Sequence, residues 1–307
     1  MEVFNASRHF DEKTVVALGF FDGVHIAHRA LIEKAIAIAE ENNCKSVVYT
    51  FDRSVKNIKL ITDNECKIKC MNKIGVDYLI FEEVSEDFLK TSPEDFVKNI
   101  LKDKLNAHTV VVGKHYTFGY KGMADSTELT RLCADEGIQT VIMPLMELDD
   151  FLVSSTHVRF FIEYGEMEKV KKYLGRNFSI TGEVEHGNHI GHRIGFPTVN
   201  IYPKELMVMP RFGVYAVCVT LNGNKYEGIA NVGVKPTVGS DRPLVEAHMF
   251  DIEDKELYGE CINVEFLSFI RQEMTFDSLE SLTNQIEKDK EYAKEYFKKN
   301  KNQGEEI

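Results

Sequence analysis

Short apolar segments alternate with helical patterns through the first half of this chain, and that alternation is the strongest constraint on its fold. The apolar segments, each of the length of a buried strand, are Thr14–Phe21, Ser46–Phe51, Asp77–Phe81, Thr109–Gly113 and Gln139–Pro144. Between them, residues 27–41 carry apolar side chains at helical spacing, Ser92-Pro93 begins a second helix and Asp125 caps a third. Strands that alternate with helices predict a parallel, Rossmann-like sheet, whose ligands bind outside the carboxyl ends of the strands.

From about Phe178 the pattern changes to closely spaced strands. These are Ser179–Glu185, Gly213–Leu221, Lys225–Ala230, Leu244–Phe250 and Ile262–Phe269. Asn222-Gly223 between two of them is typical of a hairpin turn, and a helical pattern follows over about Ser278–Lys298. The pattern predicts a small β-barrel with a C-terminal helix. We therefore expect two domains, residues 1–172 and 173–307, the first Rossmann-like and the second a barrel.

The chain carries 37 Lys and Arg against 49 Asp and Glu, a formal net charge of −12. This excess argues against nucleic acid as a partner, because no basic stripe offsets the repulsion from phosphates. No apolar run approaches the roughly 18 residues of a membrane helix, and Met1–Asn5 lacks the pattern of a signal peptide. We expect a cytoplasmic protein with small-molecule substrates and no membrane partner, whose six cysteines are reduced thiols. The oligomeric state is left open.

Residues 186–200 have the composition of a phosphate-binding segment. Their glycines, which let backbone N–H groups approach a polyphosphate, are Gly187, Gly191 and Gly195. Pro197 then fixes the chain direction ahead of Thr198 and Asn200. The hydroxyl and amide oxygens of these two residues are ligands that Mg²⁺ accepts beside nucleotide phosphates. A glycine-rich turn before an ordinary strand fits the same residues equally well.

The first predicted strand runs into Phe21-Asp22-Gly23, which is followed by His25 and His28. Two histidines three residues apart at a strand-to-helix turn can both face a ligand at the helix N-terminus. Their imidazole N–H groups would stabilise charge that develops on a phosphate in the transition state. The spacing alone also allows ordinary loop histidines, and it disfavours a zinc site because further ligands are missing.

A second element of the first half, Ser154–Arg159, places hydroxyl groups before an arginine. Ser155 and Thr156 at a helix start, with the planar guanidinium of Arg159, would hold a pyrophosphate leaving group. Taken alone, the segment also fits an ordinary helix cap followed by a surface arginine. Its occurrence together with the histidine pair, at the two ends of one Rossmann-like unit, favours the phosphate interpretation.

With these elements assembled, the chain resembles the bacterial bifunctional riboflavin kinase/FAD synthetase (FMN adenylyltransferase) family over nearly its whole length. The first half is similar to the nucleotidyltransferase module of that family at Phe21–His28 and at Ser154–Arg159. The second half is similar to the riboflavin kinase module at Leu174–Arg176, Gly195–Asn200, Gly213–Tyr215, Asn231–Gly233, Lys235–Thr237, Glu246–His248 and Leu257–Gly259.

The resemblance implies that the second half transfers a phosphate from ATP to riboflavin and so forms FMN. It assigns Thr198 and Asn200 to Mg²⁺ and the phosphates, and Glu246 to the role of general base. It also implies that the glycines of residues 186–200 admit the nucleotide. Without the resemblance, the alternating segment around Glu246 would favour an ordinary carboxylate on the solvent face of a strand.

For the first half, the resemblance implies attack of the FMN phosphate on the α-phosphate of a second ATP, which gives FAD and pyrophosphate. It implies that His25 and His28 stabilise the transferring phosphate. The nucleotide phosphates and the departing pyrophosphate would be held by Phe21, Asp22, Gly23, Ser155, Thr156 and Arg159.

The first half departs from the family pattern at three places, one of which is the segment Phe51–Ser54, where the proline that usually follows the aspartate is missing. Ala27 stands where a glycine is usual between the histidines, and His115 stands where an Asp or Asn is expected near the flavin phosphate. A kinase with a weak or inactive adenylyltransferase half is therefore one alternative, and a non-catalytic flavin or nucleotide sensor is another. The presence of Thr198, Asn200 and Glu246 argues against the sensor, because binding alone needs no general base.

Overall fold

The structure is a computed structural model that describes residues 1–54, 58–186, 195–204, 206–234, 242–252 and 257–302. The chain divides into two units, Met1–His157 and Val158–Ile307. A helix that begins at Ser155 spans the boundary between them. Within the described ranges, no helix is both long enough and apolar enough to cross a membrane.

A parallel six-stranded sheet forms the centre of the first unit. The strands of this unit are β1 (Glu2–Asn5), β2 (Thr14–Leu18), β3 (Lys45–Phe51), β4 (Tyr78–Glu82), β5 (Ala107–Gly113), β6 (Thr117–Phe118), β7 (Ala124–Asp125), β8 (Gln139–Met143), β9 (Glu147–Leu148) and β10 (Phe151–Leu152). The sheet has the order β1-β4-β3-β2-β5-β8, and the four short strands pair as β6–β7 and β9–β10. The strand pattern predicts five of the six sheet strands, and β1 is the strand it misses.

Helices cover both faces of this sheet. They are α1 (Ile26–Glu41), α2 (Asn64–Ile74), α3 (Glu86–Leu89), α4 (Pro93–Asp95, continued by the π-helical segment Phe96–Lys104) and α5 (Ser126–Asp135). Successive residues of a strand point to opposite faces. Val15 and Ala17 therefore pack with α1 and α2, whereas Val16 and Leu18 pack with Phe96–Lys104 and α5. The Rossmann-like architecture that the sequence predicts for the first half is confirmed.

A closed antiparallel barrel forms the centre of the second unit. The helices that follow the first unit are α6 (Ser155–Tyr164), which begins within that unit, α7 (Met167–Leu174) and α8 (Leu279–Asn302). The barrel strands are β11 (Phe178–Glu185), β12 (Val199–Ile201), β13 (Gly213–Leu221), β14 (Asn224–Val234), β15 (Pro243–Met249) and β16 (Cys261–Arg271). The strands close in the order β11-β12-β15-β14-β13-β16. Asn222 and Gly223 join β13 to β14 with φ of 49° and 81°, the left-handed pair that a type I′ turn requires. The predicted barrel with its C-terminal helix is confirmed.

Helix α8 packs against one face of the barrel. Ala293 and Phe297 of the helix share an apolar cluster with Ile229 of β14. Arg271 of β16 forms an ion pair with Asp289 of α8, with 2.7 Å between Nη2 and Oδ2, and Asp289 is 2% exposed. Removing one partner from a buried pair costs about 3–5 kcal/mol, so this pair holds the helix on the barrel.

Candidate functional site

A cavity of about 380 Å³ opens at the carboxyl ends of β2, β5 and β8 in the first unit. This is the edge at which parallel sheets bind their ligands. The predicted site residues in its wall are Phe21, His25, His28, His115, Ser155 and Thr156. The fold therefore brings together side chains from both sequence elements of the first half.

His25 caps the N-terminus of α1. Its Nδ1 accepts a hydrogen bond from the backbone N–H of His28 at 3.2 Å, and the side chain is 4% exposed. Because Nδ1 acts as the acceptor, the proton of the neutral ring lies on Nε2. The cap therefore fixes the tautomer and leaves Nε2–H as the donor of His25.

The two histidine rings are stacked, with their centroids 3.5 Å apart and their planes 16° from parallel. Nδ1 of His28 is buried and has no hydrogen-bond partner among the described residues. Burial, followed by electrostatic interactions with His25 and Lys67, holds the pKa of His28 well below its ordinary value. His28 is therefore neutral at pH 7 and offers one N–H donor.

The turn between β2 and α1, which precedes these histidines, has several residues in the left-handed conformation. Phe21 has φ of 51°, Gly23 of 83° and Val24 of 41°. The buried carboxylate of Asp22 accepts hydrogen bonds from the backbone N–H groups of Ile61 and Thr62, at 2.9 and 3.2 Å. Asp22, a predicted phosphate-binding residue, thus lies behind the cavity wall and holds the turn.

Gly23 is held from the same side, because its N–H donates to Oγ1 of Thr62 at 3.0 Å. An added Cβ at Gly23 would lie 3.1 Å from Ile61 Cδ1, and the positive φ disfavours any other residue there. Like Asp22, Gly23 belongs to the support of the cavity in this structure.

The start of α6 closes the other side of the cavity. Oγ of Ser154 accepts the N–H of His157 and caps the helix, while Oγ of Ser155 donates to the carbonyl of Asp22 at 2.8 Å. Thr156 is exposed and lines the cavity. Arg159 follows Ser155 by four residues on α6 and belongs to the second unit.

Two of the positions that depart from the family pattern, His115 and Ala27, line the cavity. His115 is exposed and follows β5, and Ala27 lies in the first turn of α1 between the histidines. Neither residue interrupts the cap of α1 or the stack of the histidine rings.

In the second unit, the register of the barrel sets the predicted residues side by side. Asn200 of β12 pairs directly with Glu246 of β15, and Glu246 pairs with Asn231 of β14. Directly opposite residues in antiparallel strands have Cβ atoms about 4.5–5.5 Å apart. On the other side of β12, Asn200 pairs with Glu185 of β11. A polar row therefore crosses four barrel strands.

The side-chain amide oxygen of Asn200 is buried without a hydrogen-bond partner among the described residues. Asn200 as a whole is 5% exposed. An unpaired buried polar atom costs free energy, so such an atom in a native protein calls for a partner. A hard cation such as Mg²⁺ meets that requirement.

Thr198 lies just before β12 and is half-buried. The preceding carbonyl, that of Pro197, accepts a hydrogen bond from Nδ1 of His248 at 2.8 Å. Burial lowers the pKa of His248, and the Pro197 carbonyl opposes that shift. Gly195 is exposed with φ of 82°, whereas Gly187 and Gly191 lie outside the described residues.

Reasoning from the sequence misses Thr62 and Lys67, and gives no role to His248. Lys67 does carry a signal, since it occupies the apolar stripe of α2 with Cys70, Met71 and Ile74, at spacings of three, four and seven residues. A lysine in such a stripe is buried and needs partners. The contacts of Thr62 and His248 join distant parts of the chain and leave no local pattern.

Two family models together match most of the chain. The FAD synthetase model matches residues 7–157, and the riboflavin kinase model matches residues 174–297. These ranges contain the cavity of the first unit and the barrel of the second.

Relatives that match this chain over nearly their whole length are described as bifunctional enzymes. A bifunctional riboflavin kinase/FMN adenylyltransferase of Listeria monocytogenes is 36% identical over 94% of this chain and 94% of its own. The enzyme of that description from Bacillus subtilis is 35% identical over 93% of each chain. A crystal structure from Streptococcus pneumoniae, described as a macrolide-efflux protein, is 30% identical with a TM-score of 0.86 over 94% of this chain and 95% of that one. This chain is thus a member of the bifunctional riboflavin kinase/FMN adenylyltransferase family, as its sequence motifs predict.

Proposed function

We propose that the second unit forms FMN from riboflavin and ATP, and that the first unit forms FAD from FMN and a second ATP. The observation that supports this division most strongly is that each unit holds its own set of reactive groups. The first has stacked histidines in a cavity, and the second has Asn200 beside Glu246 on the barrel. The cytoplasmic location and the domain boundary between residues 172 and 173 stay predictions.

Glu246 is the general base of the kinase reaction in this proposal. The ribityl 5′-hydroxyl attacks the γ-phosphorus of ATP, its proton passes to the carboxylate, and the bond to the departing ADP breaks. The cross-strand pairing with Asn200 keeps the base beside the groups that hold the phosphates. His248 anchors the Pro197 carbonyl and so fixes the approach of Thr198 to the same place.

Asn200 and Thr198 provide the oxygen ligands for Mg²⁺ in this proposal. The unpaired, buried Oδ1 of Asn200 supports the assignment, since a cation would satisfy it. A bound Mg²⁺ supplies neutralisation of the negative charge on the ATP phosphates, which is a large part of catalysis in phosphoryl transfer. The chain itself contributes the rigid placement of both oxygens at the start of β12.

In the first unit, an oxygen of the FMN phosphate attacks the α-phosphorus of ATP, and pyrophosphate departs with the electrons of the broken bond. No general base is needed, because the attacking phosphate is already ionised at pH 7. Nε2–H of His25 and the N–H of neutral His28 donate to the transferring phosphate as its charge grows. Ser155 and Thr156 at the start of α6 hold the pyrophosphate, whereas the assignment of Arg159 to this step stays a prediction from the sequence.

Glu246→Gln tests the division into two sites. The amide keeps the size of the side chain but cannot take a proton, so FMN formation should fall by about 100-fold or more. FAD formation from supplied FMN should be unchanged. Chromatographic separation of flavins after incubation with Mg²⁺-ATP measures both rates. Glu265→Gln, at a half-buried carboxylate of β16, is the matched control and should keep both. Parallel loss of the two reactions in Glu246→Gln would contradict the proposal.

Asn200→Leu tests the magnesium assignment. Leucine fills a similar volume without an oxygen, so the Mg²⁺ concentration for half-maximal FMN formation should rise by about 10-fold or more. The Mg²⁺ dependence of FAD formation should stay as in the wild type. Asn284→Leu, at an exposed position of α8, serves as the control. An unchanged Mg²⁺ requirement in Asn200→Leu would remove Asn200 from the ligand set.

His28→Gln tests the adenylylation site. The loss of a donor to the transferring phosphate should lower FAD formation by about 100-fold or more, as for removal of an oxyanion donor. FMN formation in the same preparation should be unaffected. His9→Gln replaces an exposed histidine of the same unit and should leave both rates intact. A His28→Gln protein that forms FAD at the wild-type rate would show that His28 has no part in the reaction.

A further inference from the structure

Lys67, which neither proposed reaction uses, is buried beneath the turn that carries His25 and His28. The residue is 2% exposed, although a buried charge is costly unless it is hydrogen-bonded. Its Nζ donates to the carbonyl of Phe20 at 2.9 Å, to Oγ1 of Thr50 at 3.3 Å and to the carbonyl of Phe51 at 3.5 Å. All three donor positions of the ammonium group are therefore occupied.

Lys67 contacts the turn through its hydrogen bond to the carbonyl of Phe20. This carbonyl accepts a second hydrogen bond, from Oγ1 of Thr50 at 2.9 Å, and it directly precedes the left-handed residue Phe21. A left-handed conformation at a bulky residue persists only where its surroundings hold it. Lys67 and Thr50 hold the first residue of the turn, as the Asp22 contacts hold its centre.

The positive charge of Lys67 also acts electrostatically on His28. Burial lowers the pKa of Lys67 to about 8, while the carboxylates of Asp22 and Asp52 oppose that shift, so the amine is protonated at pH 7. Nζ also lies 4.7 Å from the ring centroid of Phe20 and 5.8 Å from that of Phe81. The positive charge is one of the causes that lower the pKa of His28.

We propose that Lys67 is a positioning residue for adenylylation, whose ammonium group holds the Phe20 carbonyl and thereby the turn that presents His25 and His28 to the substrate. The inference rests on the proposed formation of FAD in the first unit. Lys67 joins the other groups that hold the turn, namely Thr50, Asp22, Thr62 and Ser155, and among these residues it alone brings a positive charge near the histidines.

Lys67→Met tests the proposal, because methionine keeps the length of the stem and removes the charge and its hydrogen bonds. Misplacement of the turn should lower kcat for FAD formation by about 10- to 100-fold. FMN formation by the other unit should stay within about twofold and serves as an internal control for folding. Lys69→Met changes an exposed lysine two residues away on α2 and should keep both rates.

The titration of His28, followed by NMR of labelled histidines, gives a readout that a purely structural role would not move. In Lys67→Met it should shift to higher pH, because a nearby positive charge is lost while the burial of the ring persists. Wild-type kcat for FAD formation in Lys67→Met, or parallel loss of FAD and FMN formation, would overturn the proposal. An unmoved His28 titration would overturn it as well.

If Lys67→Met does not fold, Thr50→Val tests the proposed role of Lys67 instead. It removes one donor to the Phe20 carbonyl and one of the acceptors that position Nζ of Lys67, but it keeps the lysine charge. FAD formation should therefore fall several-fold while the His28 titration stays in place. A Thr50→Val protein with unchanged FAD formation would overturn the proposal. If the wild-type protein itself formed no FAD, the proposed function would fail, and the His28 titration in Lys67→Met would still decide whether Lys67 acts on His28.

Discussion

The left-handed turn between β2 and α1 is the constraint on which the first unit depends. Phe21, Gly23 and Val24 all have positive φ. The free-energy cost of that conformation is offset by hydrogen bonds that the Asp22 carboxylate and the Phe20 carbonyl accept and by the one that the N–H of Gly23 donates to Thr62. Because the turn occupies only a few residues, α1 begins at Ile26 with His25 as its N-cap. Both histidines therefore lie at the carboxyl edge of the sheet, where the cavity opens.

In the second unit, the register of the barrel strands positions the residues of the candidate site. Its short strand β12 places Asn200 directly opposite Glu246, so the pairing of two backbones sets the spacing of a ligand and a base. Helix α8, tied to β16 by the Arg271–Asp289 pair, supports the face on which His248 lies opposite Ile229. The two sites thus depend on different kinds of backbone constraint, a strained turn in one unit and a barrel register in the other. This difference is consistent with separate reactions in the two units.

Much of this organisation could be predicted from the sequence, because the periods of buried strands and helices are local signals. The parallel sheet, the barrel and the Asn222–Gly223 hairpin follow from such signals, and the family follows from ordered motifs. The role of Asp22 could not be predicted, since its partners Ile61 and Thr62 are about 40 residues away in the chain. The pairing of Asn200 with Glu246 likewise depends on how the barrel closes. For Lys67, the sequence predicts burial from its position in an apolar stripe, but it does not predict which residues accept its hydrogen bonds.

We expect one chain to carry riboflavin through FMN to FAD with its two separate sites. A time course with the wild-type protein, riboflavin and excess Mg²⁺-ATP tests it most directly, with the flavins separated by chromatography at each interval. FMN should appear first, and FAD should then accumulate from it. FMN that accumulates without any FAD, also when FMN is supplied at the start, would contradict this expectation.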